Sequence, residues 1–200
     1  MTHEDVVTRV RLILNEHGSD DSLTIATDRV LLDDYIERAI PDAVVLLTSK
    51  GFDILNDVAH VDVGDNGEIE VSNFLSLISI NHNSWKKRVY KLTDRNSPAF
   101  IMAQNTFTKP GPNSPIAWLH ASFSDKVKIR TLPELPKTAD SNTAKVSVFY
   151  NKTYNKNSGL GCGEPVSTAV CYMAAAIVLG LFGDEMGEKR LSELSTTMLQ

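Results

Sequence analysis

Between Glu164 and Asp184 the chain runs for 19 residues without a charged side chain. Val166, Ala169, Val170, Met173, Ala174, Ala175, Ala176, Ile177, Val178, Leu179, Leu181 and Phe182 make this stretch apolar nearly all round instead of along one stripe. A helix of that character has to be covered by other helices, by a neighbouring subunit or by lipid. Pro165 suits its first turn. A membrane span needs ~20 apolar residues. This segment is short for that, contains Ser167, Thr168, Cys171 and Tyr172, and is bounded by acids where a span has Lys or Arg anchors. A buried core or subunit-interface helix is therefore expected, with Val166, Val170, Met173, Ile177 and Leu181 as the candidate buried or interface residues. Membrane association through Val166 to Phe182 is the alternative. Gly187, Leu191, Leu194 and Met198 then mark a short amphipathic tail helix able to dock on a partner.

The other end of the chain is helical as well. Thr2 and Asp5 have capping spacing, and Val6, Val10, Ile13 and Leu14 fall on one face of a helix that runs to about His17. Gly18 to Ser22 reads as a loop. Thr27 or Asp28 is the expected N-cap of a second helix whose stripe is Leu32, Tyr35, Ile36, Ala39, Ile40, Ala43, Val44 and Leu47, with Gly51 as its stop. Pro41 interrupts that stripe, yet the apolar phase continues across it, which favours a kinked single helix over two short ones.

From about Asp57 the period changes to two. Ala59, Val61 and Val63 alternate with polar neighbours, Asp65-Asn66-Gly67 supplies turn chemistry, and Ile69 and Val71 follow, which together predict a hairpin. Further strands are expected at Leu75 to Ile80, Lys87 to Leu92, Ile116 to His120, Lys126 to Leu132 and Lys145 to Tyr150. Loops are expected at Ser97-Pro98, over Lys109 to Pro115 and from Pro133 to Asn142. The pattern predicts an α+β protein: an N-terminal helical part over 1–56, an inserted, mostly antiparallel β-sheet over 57–152, and a C-terminal helical part over 153–200, all in one composite domain.

With 200 residues, 42% of them hydrophobic and 22% charged, the chain can bury a sizeable core and is not disordered. Its net charge of −5 conceals zoning: residues 1–70 carry 5 basic against 16 acidic groups, and residues 71–160 carry 13 against 4. Such zoning can steer copies of one chain head to tail, or turn one stretch toward nucleic acid. The polar, acidic start Met1 to Asp5 predicts no secretory signal, and Cys162 and Cys171 have neither disulfide-framework nor zinc spacing, so reduced thiols inside a cell are expected.

Chemistry is sparse. His3, His17, His60, His82 and His120 occur singly, so no metal is expected, and Asp20-Asp21 and Asp33-Asp34 read as solvated surface. No phosphate-cradling glycine motif is present, and no cofactor is expected. Gly159-Leu160-Gly161-Cys162-Gly163 places a thiol just ahead of a helix, where the dipole favours the thiolate. A cysteine-dependent hydrolase using Cys162 is thus the enzymatic alternative, and it requires a histidine within hydrogen-bond reach of the sulfur. Lys86, Lys87, Arg88 and Lys91, with Arg95 beyond, form a basic run interleaved with Trp85 and Tyr90, a candidate docking or DNA-facing patch. On a strand this run would be split between two faces.

The chain opens with Asp5 to Glu16, then the Ser/Asp loop, then Leu32-Asp33-Asp34-Tyr35-Ile36-Glu37-Arg38-Ala39-Ile40-Pro41, and goes on through Val71 to Ile80, Trp85, the Ser97-Pro98 step, the Pro-rich loop and Lys128-Ile129-Arg130-Thr131-Leu132-Pro133. This order of features resembles the head-to-tail connector, or adaptor ring, proteins of tailed bacteriophages. The charge-free C-terminal helix and its Gly-rich lead depart from the pattern. The resemblance implies a non-enzymatic virion protein at the head–tail junction, assembled in the bacterial host cytoplasm. It would form a homo-oligomeric ring, expected to be dodecameric, that binds the portal on one side and tail or further ring proteins on the other. DNA would pass through the lumen, and no membrane would be involved.

Overall fold

The computed structural model describes residues 1–17, 29–64, 67–123, 126–135 and 145–200. The expected loop at Gly18 to Ser22, the N-cap at Thr27 or Asp28, Asp65 and Asn66 of the turn, and most of the loop from Pro133 to Asn142 lie outside the described residues. The architecture is α+β, with helices at both ends of the chain, and it divides into two compact units: 1–55 with 153–200, and 56–152.

The first unit is helical. α1 (His3–His17) opens with a reciprocal cap, in which the Thr2 N–H donates to Asp5 Oδ2 at 3.0 Å and the Asp5 N–H to Thr2 Oγ1 at 3.2 Å. Its expected stripe, Val6, Val10, Ile13 and Leu14, is buried. α2 (Arg29–Ser49) runs without a break through Pro41, and of its expected stripe only Tyr35 is exposed. Gly51, with φ +94°, ends it: the Phe52 N–H reaches back to the Leu47 carbonyl and the Gly51 N–H to that of Thr48, a Schellman closure.

α3 (Pro98–Ala103) is a short helix in the second unit. α4 (Glu164–Leu181) is the element against which α1, α2 and α5 (Glu185–Thr197) all pack. Ala169, Val170, Cys171, Met173, Ala174, Ala175, Ala176, Val178 and Leu179 are all buried. The run of alanines lets neighbouring backbones come close, and the Ser195 hydroxyl donates to the Ala169 carbonyl at 2.7 Å across the α4–α5 contact. The turn between these two helices is tight because Gly183 takes φ +82°, which returns the Asp184 N–H to the Leu179 carbonyl, and Asp184 then caps α5 by accepting from the Gly187 N–H.

The second unit holds two three-stranded sheets in place of one, both antiparallel throughout. The first is ordered β1 (Asn56–Val61), β6 (Val146–Lys152), β3 (Phe74–Asn81). The second is ordered β2 (Ile69–Ser72), β5 (Lys126–Leu132), β4 (Ile116–Ser122). Val63, Ile69, Val71 and Ile129 from one side and Ile80, Val146, Val148 and Tyr150 from the other build a shared core, closed by Trp85 and Val89.

Three further expectations are corrected here. The hairpin from Ala59 to Val71 barely exists as a pair: β1 ladders onto β6, from Asn56↔Asn151 to Val61↔Val146, and only Val63 bridges Ile69. Lys87 to Leu92 is not a strand. Val89 bridges Ile80 of β3 and Leu92 bridges Ala117 of β4, so this segment links the edges of the two sheets. Ser97-Pro98, expected only as a loop, begins α3 (Pro98–Ala103), with the Ser97 Oγ accepting from the Phe100 N–H and proline in the first turn.

Candidate functional site

The basic run sits on the irregular segment between β3 and α3, and three inward anchors set its shape. Trp85 and Val89 are buried and Leu92 is half-buried, at spacings of four and three, which no strand would give. Backbone bonds hold it: Val89 exchanges two with Ile80, the Lys86 N–H donates to the Pro112 carbonyl, and the Thr93 N–H to that of Ala117. Lys86, Lys87, Arg88, Lys91 and Arg95 are all exposed as a result. The division of these cations between two strand faces therefore does not occur, because there is no strand to divide them. Arg88 lies 5.8 Å from the centroid of Phe149, a cation–π contact. Arg95 donates to His120 Nδ1 at 2.9 Å and to the His120 carbonyl at 2.8 Å. Among the described residues no carboxylate lies within 4.0 Å of Lys86, Lys87, Arg88 or Lys91.

A second group of charges gathers on the outer face of the β2-β5-β4 sheet. Lys126, Lys128 and Arg130 alternate with Val127 and Ile129 along β5, so all three cations share one face while the apolar pair faces the core. Glu68 receives Lys128 and Arg130. Arg130 donates through Nε at 3.2 Å and Nη2 at 2.9 Å, Lys128 Nζ lies at 3.2 Å, and His120 Nε2 at 3.3 Å. Lys126 pairs with Glu70 at 2.7 Å. The hydrogen bonds from Lys128, then Arg130, hold the Glu68 carboxyl below its ordinary 4.5, and the Lys126 bond does the same for Glu70. The signal was present in the sequence, since Glu68-Ile69-Glu70-Val71 alternates as β5 does, but recognising it requires the pairing Glu70↔Lys128 and Ile69↔Ile129.

A lowered carboxyl contributes stability that is complete above the unfolded value of 4.5 and is lost as pH falls through the lower folded value. Melting of the β unit should therefore shift down as pH drops below 4.5, and Glu68→Gln should shrink that shift while lowering the melting temperature near neutral pH. Thermal melts of both proteins across that range check this; an equal acid shift in the two would remove Glu68 from the account.

Beside this face, a cleft of about 340 Å³ is lined by Ala103, Gln104, Thr106, Lys109, Trp118, Arg130, Leu132 and Glu134. It is polar and open, and its charged lining residues are Lys109, Arg130 and Glu134.

In the helical unit, the candidate helix residues separate. Val170 and Met173 are buried, Val166 and Ile177 half-buried, and Leu181 is 63% exposed: Val178 and Leu179 of the same turn are buried, so Leu181 lies on the solvent side of α4. By length and composition α4 could cross a membrane. It is also the helix that α1, α2 and α5 enclose. Cys162, half-buried, has its Sγ 3.2 Å from the Ser167 hydroxyl, which itself donates to the Cys162 carbonyl. Among the described residues, no imidazole is hydrogen-bonded to that sulfur. His3 of the same unit is engaged with Tyr154, at 2.6 Å, and lies 3.4 Å from Glu37. Burial pushes the Cys171 thiol up to about 11, which leaves it protonated and inert. No group of three or more metal-ligating side chains occurs among the described residues.

Comparison with known protein families and with characterised proteins finds no match to this chain.

Proposed function

We propose that the protein is a structural subunit of a head-to-tail connector ring in a tailed bacteriophage, with no catalytic role. The observation that carries this reading is the coincidence of charge with fold. The helical unit holds 8 basic against 16 acidic groups and the β unit 12 against 9, so a net −8 and a net +3 reside on separately built bodies of one chain. Two bodies of opposite sign favour a heterologous contact, helical unit to β unit of the next copy, over either like-with-like contact. Heterologous contacts that close by rotation make rings. The order of sequence features resembling adaptor proteins supplies the context: a ring, expected to be dodecameric, held between portal and tail components at the head–tail junction, after assembly in the host cytoplasm.

The exposed cations at Lys86, Lys87, Arg88 and Lys91 serve this reading as a docking surface, with DNA in the lumen as a further neighbour. Electron microscopy of the purified protein, alone and on portal-bearing capsids, tests it: closed rings with an open centre are expected. Cys162→Ser should form them at wild-type yield. Particles no larger than a dimer in both settings would sink the reading, and loss of virion infectivity in a well-folded Cys162→Ser protein would revive the nucleophile.

A further inference from the structure

The segment that follows the basic run holds three large apolar side chains away from the protein. Ile101 is 63% exposed, Met102 59% and Phe107 97%. The segment carrying them is pinned. Ser97 and Pro98 start α3, and Phe100 packs edge-on against Trp118 with ring centroids 5.2 Å apart. Ala103 is buried with Trp118 and Leu132. Past the helix, the Gln104, Asn105 and Thr108 N–H groups turn back onto Ile101, Met102 and Asn105, and the Thr108 hydroxyl bonds the Met102 carbonyl. Each inward residue thus fixes an outward one, and folding of the β unit gives no reason for three exposed apolar groups within seven positions.

What would cover them is indicated by charge and by a matching surface. From Pro98 to Pro115 the only charged residue is Lys109, so the tip is apolar with a basic rim. A second β unit, also net positive, makes a poor partner. The helical unit, at −8, offers on α5 a line of exposed Met186, Leu194 and Met198, spaced by eight and four and flanked by Glu185 and Glu193. Methionines adapt to the shape of what they meet. We propose that Ile101, Met102 and Phe107 of one copy seat on the Met186–Leu194–Met198 line of a second copy, forming the apolar centre of the contact that charge zoning orients. For its occupant this rests on the ring reading.

The test uses full-length protein. Phe107→Asp and Met186→Asp alter side chains 97% and 86% exposed, so circular dichroism and melting should match wild type. Light scattering across a concentration series should show assembly shifted by about tenfold or more in each. Phe107→Cys mixed with Met186→Cys, both carrying Cys162→Ser, should form an inter-chain disulfide on mild oxidation that neither forms alone. Assembly at wild-type concentrations in both Asp variants would overturn the seating while leaving rings intact, as would cross-linking of Phe107→Cys to itself. A wild-type chain that stays monomeric alone and on capsids overturns the seating and the ring reading together.

Discussion

Ala175→Asp leaves the helical unit unfolded. Ala175 has no exposed surface and sits midway along α4, where α1, α2 and α5 close around it. Its neighbours along α4, Cys171, Ala174, Ala176 and Leu179, are buried and uncharged, so a carboxylate there enters an apolar setting. Leaving a charge buried and uncompensated costs ~3–5 kcal/mol, a large share of the ~5–15 kcal/mol that holds a typical domain together. The protein should be recovered as aggregate, or should lose most of its helical circular dichroism when expressed in soluble form. Leu181→Asp in the same helix should cost no more than about 1 kcal/mol, mainly from setting an acid at the negative end of the helix dipole. Equal tolerance of the two substitutions would mean that α4 is not enclosed and that its apolar surface serves something other than the core.

That contrast also shows what was legible in the sequence. A stretch free of charge announces burial, and the period of 3.6 in α1 and α2 placed Val6, Val10, Ile13, Ile36, Ile40, Val44 and Leu47 correctly because each helix has one covered side. α4 is covered from three directions. A single stripe drawn along it therefore picked Leu181, which lies on the uncovered side of the last turn, and passed over Ala169, Ala174 and Val178. In the β unit, β5 was bounded correctly since both of its faces have a strict alternation. The segment at Lys87 to Leu92 was misread because alternating Lys, Arg, Val and Tyr imitates a strand, whereas its anchors at Trp85, Val89 and Leu92 follow no period of two. The Glu68 cluster joins residues 62 positions apart through strand register, information that exists only once β2 lies against β5. Ser97-Pro98, expected only as a loop, carries an N-cap serine and a first-turn proline, a local signal for a short helix that the loop reading overlooked.

The correction at Lys87 to Leu92 bears directly on function, because it puts every cation of the run on the surface. Changing Lys86, Lys87 and Arg88 together to Gln removes three exposed charges with no carboxylate partner within 4.0 Å among the described residues, so the melting temperature should fall by no more than the Arg88–Phe149 contact contributes. Association should. The β unit would fall from net +3 to zero opposite a helical unit at −8. Electrostatic steering accelerates encounter by roughly 10- to 1000-fold at low ionic strength. Attachment to portal-bearing capsids, or self-assembly followed by light scattering, should therefore slow by about tenfold or more in low salt. The deficit should shrink toward nothing as salt is raised, because charges more than ~8–10 Å apart are screened at physiological ionic strength. Final yields should stay close to wild type, since the proposed apolar seating through Ile101, Met102 and Phe107 is untouched. Duplex DNA binding by the wild type provides the opposing outcome. A surface that lives on phosphate contacts loses affinity as a power of salt concentration, with a slope near 0.9 for each phosphate neutralised. Tight binding of that kind, abolished in the triple variant while capsid attachment keeps its wild-type rate, would assign these residues to gripping DNA and leave docking to other parts of the chain.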